Sequence, residues 1–316
     1  MMANTLIVAL TPIFFVLALG YGAGRLRIVD NGHVDSFNAL VMEIALPASL
    51  FAATASAPRL ELVAQAPLFI ILGAVMLLVF LAWFFVQVRL GNATKADASL
   101  QGLTIAFPNL AGVGLPILAD VLGSAGTVPL AVALASGSII VSPVSLIIVE
   151  LSRQQDGVAS AFTTRIVGSL WRALTKPVVL APAFGIVFSL SGLKTDAITD
   201  ACLLLIGHAA PGVALFLTGL VLSAQPFRLN WTVVCATGAA DIVRPSLAVA
   251  VVSVVPVPAE TANIIILLAA VPSGFFGILF AVNYRLDSAT IGSMVAASTV
   301  VSIVTLAVAI AMLFPK

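Results

Sequence analysis

Residues 107–116 read FPNLAGVGLP, and residues 271–277 read VPSGFFG. Each stretch lies inside an apolar segment that is long enough to cross a bilayer. Proline removes a backbone donor and clashes with the preceding helical turn, and glycine adds conformational freedom, so both segments are expected to break midway. Unwound backbone inside a membrane is tolerated only within protein or beside a water-filled cavity. A pair of such breaks, one in each half of the chain, therefore predicts a transport site.

The amino-acid composition is that of a membrane protein. Of the 316 residues, 61% are apolar and 9% are charged, and the mean hydropathy is +1.20. Soluble domains are about half apolar and about a quarter charged. The net charge of +1 provides no basic field, so no nucleic-acid partner is expected.

One helix needs about 20 apolar residues to cross the hydrocarbon core, and on that rule the sequence predicts ten spans in an all-α membrane protein. The predicted spans are Asn4–Gly24, Val34–Ser56, Pro67–Val88, Ala98–Leu122, Thr127–Val149, Pro177–Leu193, Thr199–Ser223, Trp231–Val255, Glu260–Tyr284 and Ala289–Phe314.

The distribution of lysine and arginine predicts the orientation. Of the 14 such residues, ten lie in the loops after the odd-numbered spans, three lie on the opposite side, and Arg244 lies within a span. Because positively charged loops stay in the cytoplasm, both termini are expected outside, in a multi-pass protein of the inner (plasma) membrane. The connection 150–176 carries apolar residues at helical spacing, which predicts a short helix on the cytoplasmic membrane surface.

The two halves show signs of an internal repeat. Pro47 and Pro211 differ by 164 positions, and so do Pro108 and Pro272. The same shift carries the third span onto the eighth and the fifth onto the tenth. Because each repeat contains an odd number of spans, the second copy has the opposite orientation in the membrane, as in many secondary transporters. The predicted organisation is a first repeat over 1–149, a connection over 150–176 and an inverted second repeat over 177–316.

Several motifs resemble the auxin efflux carrier family, in particular its prokaryotic members, which include malonate transporters. The segment 38–51, NALVMEIALPASLF, resembles the second span of that family, and 107–116 resembles its fourth. The resemblance continues through AVP at 270–272, AVNY at 281–284 and STVVS at 298–302. It covers essentially the whole chain in the expected order.

The resemblance implies a fold like that of bile acid sodium symporters, with the fourth and ninth spans broken and crossing near the midplane. Spans three to five and eight to ten would form a moving transport unit, and spans one, two, six and seven a scaffold that pairs as a homodimer. The implied substrate is an organic anion, such as an auxin-like monocarboxylate, malonate or malate, and the implied direction is efflux.

The candidate substrate site lies at the two breaks. The resemblance implies that an asparagine at the crossing touches the substrate carboxylate, and Asn109 matches it. Partial positive charge at the start of each half-helix also suits a carboxylate. The alternative is a structural kink that a neighbouring helix satisfies. The candidate substrate-binding residues are Pro108, Asn109, Gly112, Pro272, Ser273, Gly274 and Pro47.

Three charged residues within spans are candidates for coupling or gating. Asp241 and Arg244 share one face of the eighth span, either as a cation for the substrate with an acidic gate or as a permanently neutralised structural pair. Glu43 has three possible interpretations. Its carboxyl carries a coupling proton, it faces a solvated cytoplasmic vestibule, or it bonds a neighbouring span. His208 is expected to be a hydrogen-bonded core residue. The side chains of Ser298, Thr299 and Ser302, on the tenth span, either line the cavity or bond back to the carbonyls of their own helix.

Together these features predict a secondary carrier for a small organic anion. The alternatives are an uncoupled anion uniporter or channel, and a transporter-derived sensor. We expect no enzyme activity, metal or cofactor, since the sequence has no His-Glu-x-x-His motif and no phosphate-binding loop. Coupling to protons or sodium stays open.

Overall fold

The computed structural model describes residues 2–91, 93–153, 167–168, 171, 174–224 and 227–314. Within these ranges the regular structure is helical, apart from one isolated β-bridge. The main helices are α1 Met2–Arg25, α2 Val34–Ala55, α3 Ala66–Arg89, α4 Lys95–Ala106, α5 Leu115–Leu122, α6 Val128–Ser152, α7 Pro177–Leu190, α8 Ala197–Ala224, α9 Trp231–Val254, α10 Ala259–Ala270, α11 Phe276–Tyr284 and α12 Ser288–Leu313.

Six of the described helices, α2, α3, α6, α8, α9 and α12, are long and apolar enough to cross a membrane, and α7 and α10 are shorter apolar helices. Large hydrophobic side chains project from their outer faces, among them Phe85, Leu205 and Val304. In water such a surface would be costly, whereas in a bilayer it contacts lipid. The chain is thus a multi-pass membrane protein. Most of the surface helix predicted within 150–176 lies outside the described residues.

Polar residues fix where several helices begin. The side chain before the first turn accepts a hydrogen bond from a backbone N–H that has no partner within the helix. In this way Asp196 Oδ1 accepts from the N–H of Thr199 at 2.7 Å, and this bond holds the pKa of the Asp196 carboxyl below its usual value. Among the described residues, side-chain caps are also formed by Thr94 before α4, Asn230 before α9 and Asp287 before α12.

Within the described part of the chain, prolines widen the helices at four places. Each π-helical turn ends two residues before a proline, because proline lacks the N–H that would close the preceding turn and its ring clashes with that turn's carbonyl. These pairs are Leu40–Ala45 with Pro47, Leu110–Gly114 with Pro116, Gly137–Val141 with Pro143, and Ala239–Val243 with Pro245. Pro47 therefore lies inside α2 and accounts for the widened turn in that helix.

Close helix packing relies on glycine between α1 and α8. A Cβ atom added at Gly20 would lie 2.0 Å from the carbonyl oxygen of Phe216, and one at Gly219 would lie 2.0 Å from that of Leu17. Only glycine at these two positions lets the backbones approach this closely. The neighbouring helix α7 and the first half of α8 pack against the second half of α2.

We predict that Gly20→Ala lowers the stability of the purified protein in detergent by about 1–3 kcal/mol, because the added methyl must push α1 and α8 apart. The matched control is Gly22→Ala on the same helix, where a Cβ meets nothing within 4 Å. Thermal unfolding followed by tryptophan fluorescence compares the two. Equal melting temperatures would contradict the packing.

Candidate functional site

Two helices stop midway and their ends cross. Helix α4 ends at Ala106 and α10 ends at Ala270, and the chain is not helical over 107–109 and 271–275. The two segments pair through an antiparallel bridge between Pro108 and Ser273. The Asn109 N–H donates to Pro272 O at 2.8 Å, and the N–H of Gly274 donates to Phe107 O at 3.0 Å. Each break thus supplies hydrogen-bond partners that the other break needs.

The broken helices α4 and α10 begin and end at equivalent positions in the two halves of the chain. The starts of α4 and α10, at 95 and 259, differ by 164 positions, and so do their ends at 106 and 270. This is the offset that separates Pro108 from Pro272. It also makes Asn109 and Ser273 equivalent positions.

The crossing is densely packed. A Cβ on Gly274 would lie 2.3 Å from Phe107 O, and one on Gly277 would lie 1.8 Å from Thr104 Oγ1. The rings of Phe107 and Phe276 stack with their centroids 4.5 Å apart and their planes 9° from parallel. Pro108 and Pro272 are also buried. These contacts hold α4 and α11 together across the break.

Two buried polar groups at the crossing have no hydrogen-bond partner among the described residues. They are Asn109 Nδ2 and Ser273 Oγ, on residues that are 2% and 0% exposed. The other half of the asparagine amide is used, since Asn109 Oδ1 accepts from the N–H of Gly112 at 3.0 Å. Buried polar atoms are rarely left unpaired, and each exception needs an explanation. A ligand that accepts hydrogen bonds is one such explanation.

The backbone N–H groups of Asn109, Ser273 and Gly274, within the two breaks, are already hydrogen-bonded. The N–H of Ser273 donates to Ser298 Oγ at 2.8 Å, and the hydroxyl of Ser298 donates to Asp241 Oδ1 at 2.8 Å. Ser298 therefore connects α9, through Asp241, to the break before α11. The second oxygen of Asp241 has no partner within the described part of the chain. The serine-rich stretch was evident in the sequence, but this bridging role was not.

Arg244 is fully buried and binds backbone carbonyls. Its Nε donates to Ala269 O at 2.9 Å, and its two terminal nitrogens donate to Ile105 O and Val271 O. Arg244 and Asp241 form no direct ion pair, although they lie one turn apart. The guanidinium thus faces the carbonyls at the ends of α4 and α10.

A cavity of about 650 Å³ adjoins the crossing on the side of Ala111. It lies between the second half of α2, the start of α6 and the middle of α8, and it is mostly apolar. Gly112 and Pro47 are both half-buried, and neither of them lines it. His208 lines the cavity and is exposed, so the expectation of a hydrogen-bonded core histidine was wrong.

A second cavity, of about 190 Å³, lies at the other end of α2. Glu43 lines it with Asp35, Asn38, Asn283 and Arg285. The side chain of Glu43 is exposed, which favours the solvated vestibule among the three interpretations of this residue. Asn38 connects this cavity to α11, because its Nδ2 donates to Leu279 O at 2.9 Å.

Comparison with known proteins gives the family. The family model described as "Membrane transport protein" matches residues 5–310. The chain belongs to this family of membrane transport proteins, the auxin efflux carriers. It is 28% identical over 298 residues to the "Uncharacterized transporter YfdV" of Escherichia coli (strain K12), covering 94% of both chains. It is 25% identical over 222 residues to the "Putative malonate transporter" of Rhizobium meliloti (strain 1021), covering 69% of this chain and 67% of the relative.

Membership in this transporter family confirms the resemblance that the motifs indicated, and it makes the chain a transporter rather than an enzyme. The described residues contain no group of three or more His, Cys, Asp and Glu side chains placed to hold a metal ion.

We predict that Ser298→Ala destabilises the protein by about 1–3 kcal/mol, because it leaves the Ser273 N–H and Asp241 Oδ1 buried without a partner. The matched control is Ser302→Ala, one turn later on α12, whose equally buried hydroxyl only bonds back to Thr299 O. Urea or thermal unfolding in detergent measures both. A Ser298→Ala variant no less stable than Ser302→Ala would refute the bridge.

Proposed function

We propose that this family member is a secondary carrier that moves a small organic carboxylate by alternating access around the crossing of 107–109 with 271–275. The observation that carries the proposal is the pair of unpartnered buried groups, Asn109 Nδ2 and Ser273 Oγ, on the two bridged segments. Both can donate a hydrogen bond to a carboxylate without a buried charge. The substrate-binding set would be Pro108, Asn109, Gly112, Pro272, Ser273 and Gly274, with Pro47 shaping α2 nearby.

The proposal of a small carboxylate has two supports, one for its chemical class and one for its size. One relative is named a putative malonate transporter. The cavity beside Ala111, at about 650 Å³, is also within the usual range of small-molecule sites. Auxin-like monocarboxylates, malonate and malate are the first candidates, and the proposed direction is efflux.

The proposed architecture is ten spans in two inverted repeats, over 1–149 and 177–316, joined by 150–176. The shared offset of 164 between α4 and α10 supports it. In this proposal α1, α2, α7 and α8 form a scaffold that pairs as a homodimer, and the other helices move as the transport unit. Both termini lie outside the inner membrane, because the arginine- and lysine-rich loops favour the cytoplasm.

A carrier is favoured over a channel or an uncoupled uniporter by the burial of the crossing. Cavities lie at the two ends of α2, and the densely packed residues 107–109 and 271–275 are buried. A carrier opens its site to one side at a time and saturates, whereas a channel offers a continuous path. A sensor would bind the same ligand with little flux.

The test is flux into proteoliposomes together with binding to the purified protein. We expect saturable movement of labelled malonate, malate or indole-3-acetate, and a higher melting temperature in the presence of the transported anion. Single-channel conductance in a planar bilayer would favour a pore instead. Binding without flux would favour a sensor, and no binding by any carboxylate would reject the proposed substrate class.

Asn109→Asp is the sharpest variant at the site. It keeps an oxygen for the Gly112 N–H but replaces the free amide donor with a carboxyl oxygen. We predict that carboxylate affinity falls about tenfold or more, since a donor is lost and a like charge is added. Isothermal titration measures it.

Asn263→Asp is the control, because it makes the same change on α10 at a residue that bonds Leu313 O, away from the crossing. It should bind the anion as the parent protein does. Unchanged affinity in Asn109→Asp would remove Asn109 from the site.

A further inference from the structure

The buried guanidinium of Arg244 binds equivalent positions in the two broken helices. Ile105 is the second-last residue of α4, and Ala269 is the second-last residue of α10. These residues are 164 positions apart, and Arg244 donates to the carbonyl of each. Its third bond goes to Val271 O, within the break that follows α10. One side chain on α9 therefore joins the ends of both half-helices.

Helix ends of this kind attract cations. The last four carbonyls of a helix have no partner within it, and the aligned peptide dipoles place partial negative charge there. Two helices that end side by side double this charge. In transporters with broken helices, such carbonyls and unwound backbone oxygens coordinate the coupling cation. In this chain the carbonyls of Ile105, Ala269 and Val271 already have a cationic partner.

We propose that Arg244 is a resident cation that occupies the place of a coupling sodium ion at the crossing. Its three hydrogen bonds neutralise the carbonyl ends of α4 and α10 permanently, so no ion has to enter this position with each transport cycle. Arg244 is a positioning residue and does not contact the substrate. The inference deepens the proposed carrier function and rests on it for its consequence for transport.

The surroundings of Asp241 fit this assignment. Its carboxyl bonds Ser298, which bonds the N–H of Ser273 at the amide side of the same break. One oxygen of the acidic side chain is thus bonded to Ser298 rather than to the guanidinium. Helix α9 meets the carbonyl side of the crossing with a cation and the amide side with an acceptor.

The wild-type protein provides the first test. Its melting temperature without substrate, and its affinity for malonate or another bound carboxylate, should not change when sodium is replaced by N-methyl-D-glucamine at constant ionic strength. A tenfold or greater loss of affinity on removing sodium, or a large drop in melting temperature, would overturn the proposal. The melting measurement needs no substrate, so it decides the role of Arg244 even if the proposed carboxylate function fails.

Arg244→Ala provides the second test. Removing the guanidinium leaves three carbonyls around a space, and we expect sodium or methylguanidinium to raise the melting temperature of this variant by roughly 5 °C. Its carboxylate affinity should also become dependent on sodium, which a role in packing alone would not produce. A folded Arg244→Ala that responds to neither cation contradicts the proposal.

Two further variants complete the design. Arg228→Ala removes an arginine whose exposed side chain pairs with Asp287 at 3.3 Å, and it should show no cation response beyond that of the parent protein. Arg244→Lys keeps the charge but has one nitrogen for three carbonyls, so it should fold with lower stability and little sodium response. If Arg244→Ala cannot be purified folded, Arg244→Lys and the wild-type protein decide the result, and a strong sodium response in either overturns the proposal.

Discussion

The structure depends on satisfying backbone groups where two apolar helices stop inside the protein. Each unpaired N–H or C=O in a hydrocarbon environment costs several kcal/mol. The segments 107–109 and 271–275 meet this requirement for each other, through the bonds from Asn109 N–H to Pro272 O and from Gly274 N–H to Phe107 O. Neither break would be tolerable alone, and so the two halves of the chain must fold around one another.

Helix α9 bonds several backbone groups that this reciprocal pairing leaves without a partner. Arg244 takes up the carbonyls of Ile105, Ala269 and Val271, and Asp241 reaches the amide of Ser273 through Ser298. After these bonds, the amide nitrogen of Asn109, the hydroxyl of Ser273 and the second carboxylate oxygen of Asp241 have no partner among the described residues. In the proposed carrier, the amide nitrogen and the hydroxyl would be the groups that donate hydrogen bonds to a substrate carboxylate.

Much of this could be predicted from local sequence, and some could not. Pro108 and Pro272 fix the breaks because proline acts on its own turn, and the membrane class follows from composition. The partners of Arg244 lie up to 139 positions away, so no local pattern identifies them. The exposure of His208 was equally hidden, and that of Glu43 was only one of three interpretations, since both depend on cavities formed between helices that are distant in the sequence. The widened turns before four prolines have a local cause, but their effect on helix geometry is visible only in three dimensions.

The asparagine and the serine at equivalent positions have one more consequence. If the repeats were identical, the inward-open and outward-open states of an inverted pair would have equal free energies by symmetry. Asn109 and Ser273 differ in size and in hydrogen-bonding capacity, and the repeat position of Asp241 in the first half holds Leu77. In the inverted-repeat carrier proposed above, the two facing states can therefore differ in free energy, and the residues that differ between the halves, rather than the architecture, decide which state predominates.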